Sequence, residues 1–261
     1  MRYLFIILFF ISSTVAASNF DHRHTPFTKV LKQHVTVYDN NLKSAVDYTS
    51  LAAQPDALNQ YLNTLSAVTS AQYQQWNANQ QLAFLINAYN GFTLKLIIDN
   101  MAEFKSGEAT SIRDLGGFFS GPWDQEFFTL LGEKRTLNWL EHDKIRVDFD
   151  EPRIHAALVC AAVSCPKLRS EAFTGNNLET QLEDQMATFL SDDDKNGIDA
   201  DGIYLSKIFD WYGEDFGGLK NYLRNYSKVL ADNAAERQRL QSDFSIRYID
   251  YNWQLNSIEN R

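Results

Sequence analysis

The chain has 261 residues, of which 44% are hydrophobic and 13% aromatic, which is enough for one well-packed core. Its formal charge is −9 at pH 7 and it has no cluster of lysines and arginines. This composition argues against nucleic acid and anionic membrane surfaces as partners, because both need a concentrated basic face.

The N-terminus has the pattern of a secretory signal peptide. Arg2 is followed by an apolar run over residues 3–11 and then by small residues that end at Ala17. The run is too short to cross a bilayer, so we predict that residues 1–17 are cleaved. The alternative is an uncleaved membrane anchor. We expect a mature chain that is periplasmic or extracellular, without stable membrane insertion, where two nearby cysteines can persist as a disulfide.

Helices dominate the predicted elements, and strands are few. Apolar residues recur at spacings of three and four in the longest segment, which is apolar enough to be a central helix. Helices are predicted over 56–65, 70–100, 137–146, 178–190, 206–216 and 219–226. A capped helical turn is predicted at 111–116. Strands are predicted over 127–131, 135–136, 154–160, 203–205 and 245–255. Together they predict an α+β fold, a mostly helical single domain around a small, largely antiparallel sheet, with a helical N-terminal extension over 18–79.

Two amides stand out on the central helix. Asn87 and Asn90 flank Tyr89 and share a helical face, because they are three residues apart. A buried asparagine is costly unless it is hydrogen-bonded. The pair could clamp a loop backbone, or it could hold a substrate or an oxyanion.

Five motifs in order carry a family resemblance. They read "FLINAYNGFTL", "LNWLEHDKIR", "EPRIHAALVCAAVSCPKLR", "LSKIFDWYGEDF" and "YIDYNWQLN". The chain resembles the domain of unknown function 547 family over residues 80–256, in the exported bacterial form, which leaves 257–261 as a C-terminal tail. The family is defined by sequence, so the resemblance implies no agreed activity. It places weight on the matching positions Asn87, Tyr89, Asn90, Glu141, His142, Arg146, Arg153, His155, Cys160, Ser164, Cys165, Pro166, Trp211, Tyr212, Asp215 and Phe216.

Cys160 is the candidate nucleophile, because the resemblance places less weight on Cys165, which plant members can replace by serine. A thiol needs a neighbouring base and a group that orients the base. On a strand over 154–160, His155 and Cys160 would face opposite sides, and on a helix they would be about 140° out of phase. The sequence therefore favours His142 as the base. A cysteine nucleophile with a histidine base is compatible with a cysteine-protease or transglutaminase type of fold.

The group that orients His142 stays open between Asn87, Asn90 and Asp215. Glu141 is a less suitable orienter, because adjacent residues on a helix diverge by about 100°. With Asn138 it resembles a capping box at the start of the helix. Asp215 could also cap a helix or pair with an arginine.

The two cysteines could instead form a disulfide. Their Cα atoms would lie about 16 Å apart on a strand and about 8 Å apart on a helix, whereas a disulfide needs about 7 Å or less. A bond therefore requires residues 161–164 to fold back as a tight loop, which Pro166 favours.

Two further segments have simple interpretations. The stretch 192–202 has the first half of a calcium loop, but Ile203 stands where the twelfth-position glutamate is needed, so a solvated acidic turn is favoured. Trp211, Tyr212 and Phe216 are predicted as core rather than as a sugar-stacking platform. The cysteine and histidine spacing fits no zinc site, and we predict no metal or cofactor.

Two hypotheses of function follow. The first is a thiol-dependent hydrolase or acyl transferase with Cys160 as nucleophile and His142 as base. The second is a non-catalytic envelope or partner-binding domain with a Cys160–Cys165 disulfide. The expected partner in either case is a small-molecule or peptide ligand.

Overall fold

The computed structural model describes residues 20–117 and 120–261. The predicted signal peptide therefore lies outside the described residues. Those residues contain thirteen α-helices and seven short strands, which confirms the predicted α+β class. The strands form three small sheets rather than one, and three of the four strand pairings are antiparallel. No helix in the described ranges is long and apolar enough to span a bilayer.

The N-terminal part of the chain is helical and packs into the main core. It contains α1 (Thr25–His34), β1 (Val35–Tyr38), β2 (Lys43–Val46), α2 (Tyr48–Ala53), α3 (Asp56–Ser66) and α4 (Ser70–Tyr73). Phe27 of α1 stacks on Tyr61 of α3 with ring centroids 4.7 Å apart. Both rings are buried in the same hydrophobic cluster as the following long helix.

That long helix is α5 (Ala78–Asp99), the central part of the helix predicted over 70–100, which the structure divides into α4 and α5 with a break at residues 74–77. Asn77 and Gln80 form a capping box at its start. Almost every residue from Leu82 to Ile98 is buried. Gly91 allows a close approach, because a Cβ there would lie 2.9 Å from a methyl group of Leu62.

The middle of the chain follows the predicted order of elements. It contains α6 (Met101–Ser106), the hairpin of β3 (Phe128–Leu130) and β4 (Glu133–Arg135), a π-helix (Trp139–Ile145) and α7 (Arg146–Asp148). Ser111 and Asp114 form the predicted capping box. The predicted helix over 137–146 is therefore mainly a wider π-helical turn, a form often found at functional sites.

The predicted strand over 154–160 is wrong. Its first half is the short helix α8 (Ile154–Ala157), and the chain then extends from Leu158 to Cys160. The Asn90 amide donates to the Ala157 carbonyl and accepts from the Val159 N–H. It thus supplies the backbone hydrogen-bond partners that a neighbouring strand would supply in a sheet. The apolar run thus reflects burial among helices.

The C-terminal part forms a second hydrophobic cluster. It contains α9 (Leu178–Leu190), β5 (Gly197–Asp199), β6 (Gly202–Leu205), α10 (Ile208–Trp211), α11 (Leu219–Asn225), α12 (Ser227–Leu230), α13 (Ala234–Gln241) and β7 (Ile246–Tyr248). β6 pairs antiparallel with β5 and parallel with β7. The strand predicted over 245–255 is confined to β7.

Candidate ligand-binding cleft

A cleft of about 240 Å³ opens between the π-helix, α8, α10 and the segment after β7. Aromatic rings form most of its walls, and a few polar side chains converge on it. The lining residues are Tyr89, Trp123, Asn138, Glu141, His142, His155, Leu158, Cys160, Ile208, Trp211, Tyr212, Tyr251 and Trp253. Five of the predicted site residues are therefore brought together here: Tyr89, Glu141, His142, His155 and Cys160.

Glu141 is a buried carboxylate in this cleft, with 7% of the residue exposed. The predicted capping box with Asn138 does not form, because the Thr136 hydroxyl accepts the Trp139 N–H at 2.9 Å instead. The carboxylate faces the hydroxyls of Tyr89 and Tyr212. Burial raises the pKa of both tyrosines well above the usual value, and the nearby charge of Glu141 raises it further. Both phenols are therefore protonated at neutral pH.

His155 is held by Asp215. The Nε2 atom of His155 donates to the Asp215 carboxylate at 2.7 Å, and its ring stacks on Tyr212 with centroids 4.0 Å apart. Burial lowers the pKa of His155 below its usual value, although the Asp215 hydrogen bond opposes this effect. The imidazole is thus neutral at pH 7, with a carboxylate that orients it.

Arg146 joins the two histidines of the site through Asp215. Its guanidinium donates to both Asp215 oxygens at 2.6 and 2.8 Å and to Glu214 at 2.9 Å. Hydrogen bonding to Arg146 lowers the pKa of Asp215 below its usual value. Of the roles left open for Asp215, pairing with an arginine is present, and the histidine that it orients is His155.

His142 lies beside the same guanidinium. Its Nδ1 atom is 3.1 Å from Nη1 of Arg146. Because arginine only donates, Nδ1 accepts, and a neutral His142 carries its proton on Nε2.

Cys160 and Cys165 form a disulfide, with Cα atoms 6.3 Å apart. The intervening residues fold back as the predicted tight loop, in which the Cys165 N–H donates to the Ala162 carbonyl at 3.0 Å. Ala161 adopts a left-handed conformation with φ of 61°. Cys160 lines the cleft, and the hydroxyl of Tyr251 is 3.3 Å from each sulfur. Neither cysteine is free.

Asn87 and Asn90 both bind backbone. The Asn87 amide donates to the Phe173 carbonyl at 2.7 Å and accepts the Phe173 N–H at 2.9 Å. Asn90 does the same for the backbone around Leu158, at 2.9 Å in both directions. Of the two uses left open by the sequence, the loop clamp is the one present, and it shapes the wall of the cleft.

Ser164 and Arg153 do not line the cleft. The Ser164 hydroxyl accepts the Asn252 N–H at 2.8 Å. Arg153 forms ion pairs with Glu151 and Glu179. Ser164 thus fixes the backbone between Tyr251 and Trp253, and Arg153 ties the start of α8 to α9.

A second, larger cleft of about 390 Å³ lies beside Ser164 and Cys165. Its lysines are already paired, Lys43 with Asp194 at 2.6 Å and Lys195 with the buried Asp192 at 2.5 Å. The suspected calcium loop thus uses Asp192 to bind lysine. Among the residues that the structure describes, no cluster of metal-ligating side chains is present.

Three aromatic residues of the cleft lie outside the set of predicted site residues. Tyr251 and Trp253 fall in the strand predicted over 245–255, and Trp123 falls in no predicted element. The prediction of Trp211 as core is wrong, because 46% of the residue is exposed, whereas Phe216 is buried as expected. Three of the five tryptophans line this cleft, but they stand at positions 123, 211 and 253, so their spacing in the sequence does not predict that they meet.

The fold and cleft define an α+β domain with a small aromatic site around a buried carboxylate. Residues 73–190 match the model of the family described as "Protein of unknown function, DUF547". The match confirms the resemblance for the three motifs that lie within these residues, up to Arg169. The match contains the first eight cleft residues, up to Cys160, but not the aromatic residues after Leu190. No curated protein and no solved structure matches the chain.

Proposed function

We propose that the protein binds a small ligand in the aromatic cleft, without a thiol-dependent reaction. The observation that carries this proposal is the buried Glu141 carboxylate at the base of an aromatic-walled opening. The disulfide supports it, because it removes the free thiol from Cys160.

The lining has the composition of a small-molecule site. Such sites are mostly apolar and aromatic, with a few polar groups that fix the ligand's orientation. The volume of about 240 Å³ lies below the roughly 300–1,000 Å³ of pockets for drug-sized ligands, so the ligand is compact. Trp211 is large, apolar and half-exposed, and it adjoins the rings of Tyr251 and Trp253, so that the three form a contiguous aromatic patch of the kind that marks binding sites.

Ligand-observed NMR with a mixed library of sugars, amino acids, amines, carboxylates and short peptides tests this function. Asn138→Trp places a large ring in the lining, and Asn63→Trp places one on an exposed face of α3 as the matched control. We expect compounds whose signals are lost with Asn138→Trp and kept with Asn63→Trp. A library without such a compound would contradict the proposal.

The second candidate is a thiol-dependent hydrolase or acyl transferase, with Cys160 as nucleophile and His142 as base. It is supported by the position of Cys160, His142 and His155 on one cleft, and it requires a thiol reductant to open the disulfide. The Arg146 contact occupies Nδ1 of His142, whereas His155 has a carboxylate partner, so His155 is the alternative base.

Hydrolysis of an activated thioester by the reduced protein tests this candidate. If this candidate is right, Cys160→Ser abolishes turnover and Cys165→Ser retains it. Equal loss in both variants, or turnover by the oxidised protein, would remove the case for Cys160 as a nucleophile.

We also propose that the protein is exported and that residues 1–17 are a signal peptide. The disulfide supports an oxidising compartment, the periplasm or the cell exterior, because disulfides rarely persist in a reducing cytosol.

A further inference from the structure

We infer that the ligand of the cleft is a compact organic cation, a quaternary or fully methylated ammonium group. This inference rests on the proposed binding function and names its ligand class. It follows from the charge at the base of the cleft and from the rings above it.

The charge of Glu141 is not matched by its surroundings. Within the described residues no ion pair involves its carboxylate, whereas the nearby Arg146 is already bound by Asp215 and Glu214. The phenols of Tyr89 and Tyr212, which face the carboxylate, and the buried imidazole of His155 carry no charge at neutral pH. A buried carboxylate without a counter-ion is costly, and a bound cation relieves that cost.

The rings form the walls that such a cation needs. Trp211, Tyr251 and Trp253 lie within 4.6 to 5.7 Å of one another between ring centroids. Trp123 extends the group, at 5.9 Å from Trp253. Aromatic faces attract cations within about 6 Å of the centroid. Arg113, which does not line the cleft, already lies 5.1 Å from the Trp253 centroid.

The lining favours a methylated cation over a primary amine or a sugar. A primary ammonium has three N–H donors, and Glu141 is the only carboxylate in the lining. A sugar needs several paired donors and acceptors, but the one lining amide, Asn138, is bonded to Asp124. A methylated ammonium needs only charge and apolar contact, which the lining supplies.

Isothermal titration calorimetry of the oxidised chain with tetramethylammonium and choline tests the inference. The neutral isostere 3,3-dimethylbutan-1-ol and methyl glucoside are titrated in parallel. We expect both cations to bind with Kd below about 10 mM and the isostere at least about tenfold more weakly. Glu141→Gln and Trp211→Ala should each weaken cation binding about tenfold or more. The control Glu108→Gln removes the same charge from an exposed position, and it should leave cation binding unchanged.

Equal binding of the isostere, binding of the glucoside without the cations, or no cation binding at about 10 mM would each overturn the cation assignment. The proposed binding function fails separately, when the NMR library contains no compound sensitive to Asn138→Trp. Circular dichroism establishes that each variant is folded. Should Glu141→Gln unfold, the half-exposed Trp211 and the comparison of cation with isostere decide the assignment.

Discussion

His155 donates a hydrogen bond of 2.7 Å to Asp215, a residue 60 positions further along the chain. The same carboxylate accepts two hydrogen bonds from Arg146. One side chain thus links α8, the segment after α10 and the start of α7, and it holds the wall of the cleft.

Replacement of Asp215 by Asn should lower the free energy of unfolding by about 1–3 kcal/mol, because charge-assisted hydrogen bonds at a largely buried carboxylate are lost. Glu214→Gln is the matched control, since its exposed side chain pairs with the same arginine and should cost less than about 1 kcal/mol. Urea unfolding measures both. Similar values for the two variants would contradict the role given to Asp215.

Asn87→Leu should destabilise the protein by about 1–3 kcal/mol, because the N–H and carbonyl of Phe173 lose their partner while buried. Asn63→Leu, an exposed change on α3, should stay within about 0.5 kcal/mol. Thermal or urea unfolding distinguishes the two. An Asn87→Leu variant as stable as wild type would remove the clamp as an explanation for this residue.

Iodoacetamide should label neither cysteine without reductant, because both sulfurs are in the disulfide. After reduction, Cys160 should react faster than Cys165, since Cys165 is only 3% exposed. Peptide mass spectrometry locates the label. Labelling of Cys160 before reduction would favour the thiol enzyme.

Replacing both cysteines by Ala should lower the free energy of unfolding by only about 2 kcal/mol, because the closed ring is short.

Acid should destabilise the protein through His24, whose pKa burial lowers from 6.5 to about 3. The unfolded chain binds this proton below pH 6.5 while the folded chain does not, so this stability is present above pH 6.5 and is lost as the pH falls towards 3. The contribution is about 2 kcal/mol between pH 7 and 5.

His24→Asn is the comparison for this effect, because Asn tolerates the left-handed backbone at this position, where φ is 48°. Its free energy of unfolding should fall less steeply over the same pH range than that of wild type. Parallel pH profiles for the two proteins would show that His24 is not responsible.

The mature protein should begin close to Ser18, because the apolar run and the small residues before it fit a cleaved signal peptide. Intact-mass measurement of protein recovered from the producing cell checks this. A mass that retains residues 1–16 would contradict export by cleavage.

The sequence by itself determined the strongly periodic helices. The amphipathic α9 (Leu178–Leu190) has the predicted bounds, and the central α5 (Ala78–Asp99) occupies most of the helix predicted over 70–100. Both are long enough for the apolar spacing to distinguish a helix from a strand. The capping box of Ser111 and Asp114 is equally local, since its four residues contain all of its partners.

Only the tertiary structure decided the cleft. The short run after Pro152 has no period that distinguishes a helix from a strand, so the sequence placed His155 and Cys160 on opposite faces of a strand that does not exist. In the fold, the chain turns after Ala157 and both residues line one cleft. Glu141 lines the same cleft as Trp211 and Trp253, and Tyr251 reaches the disulfide from 86 residues beyond Cys165. These contacts depend on packing between distant segments, which local spacing does not record.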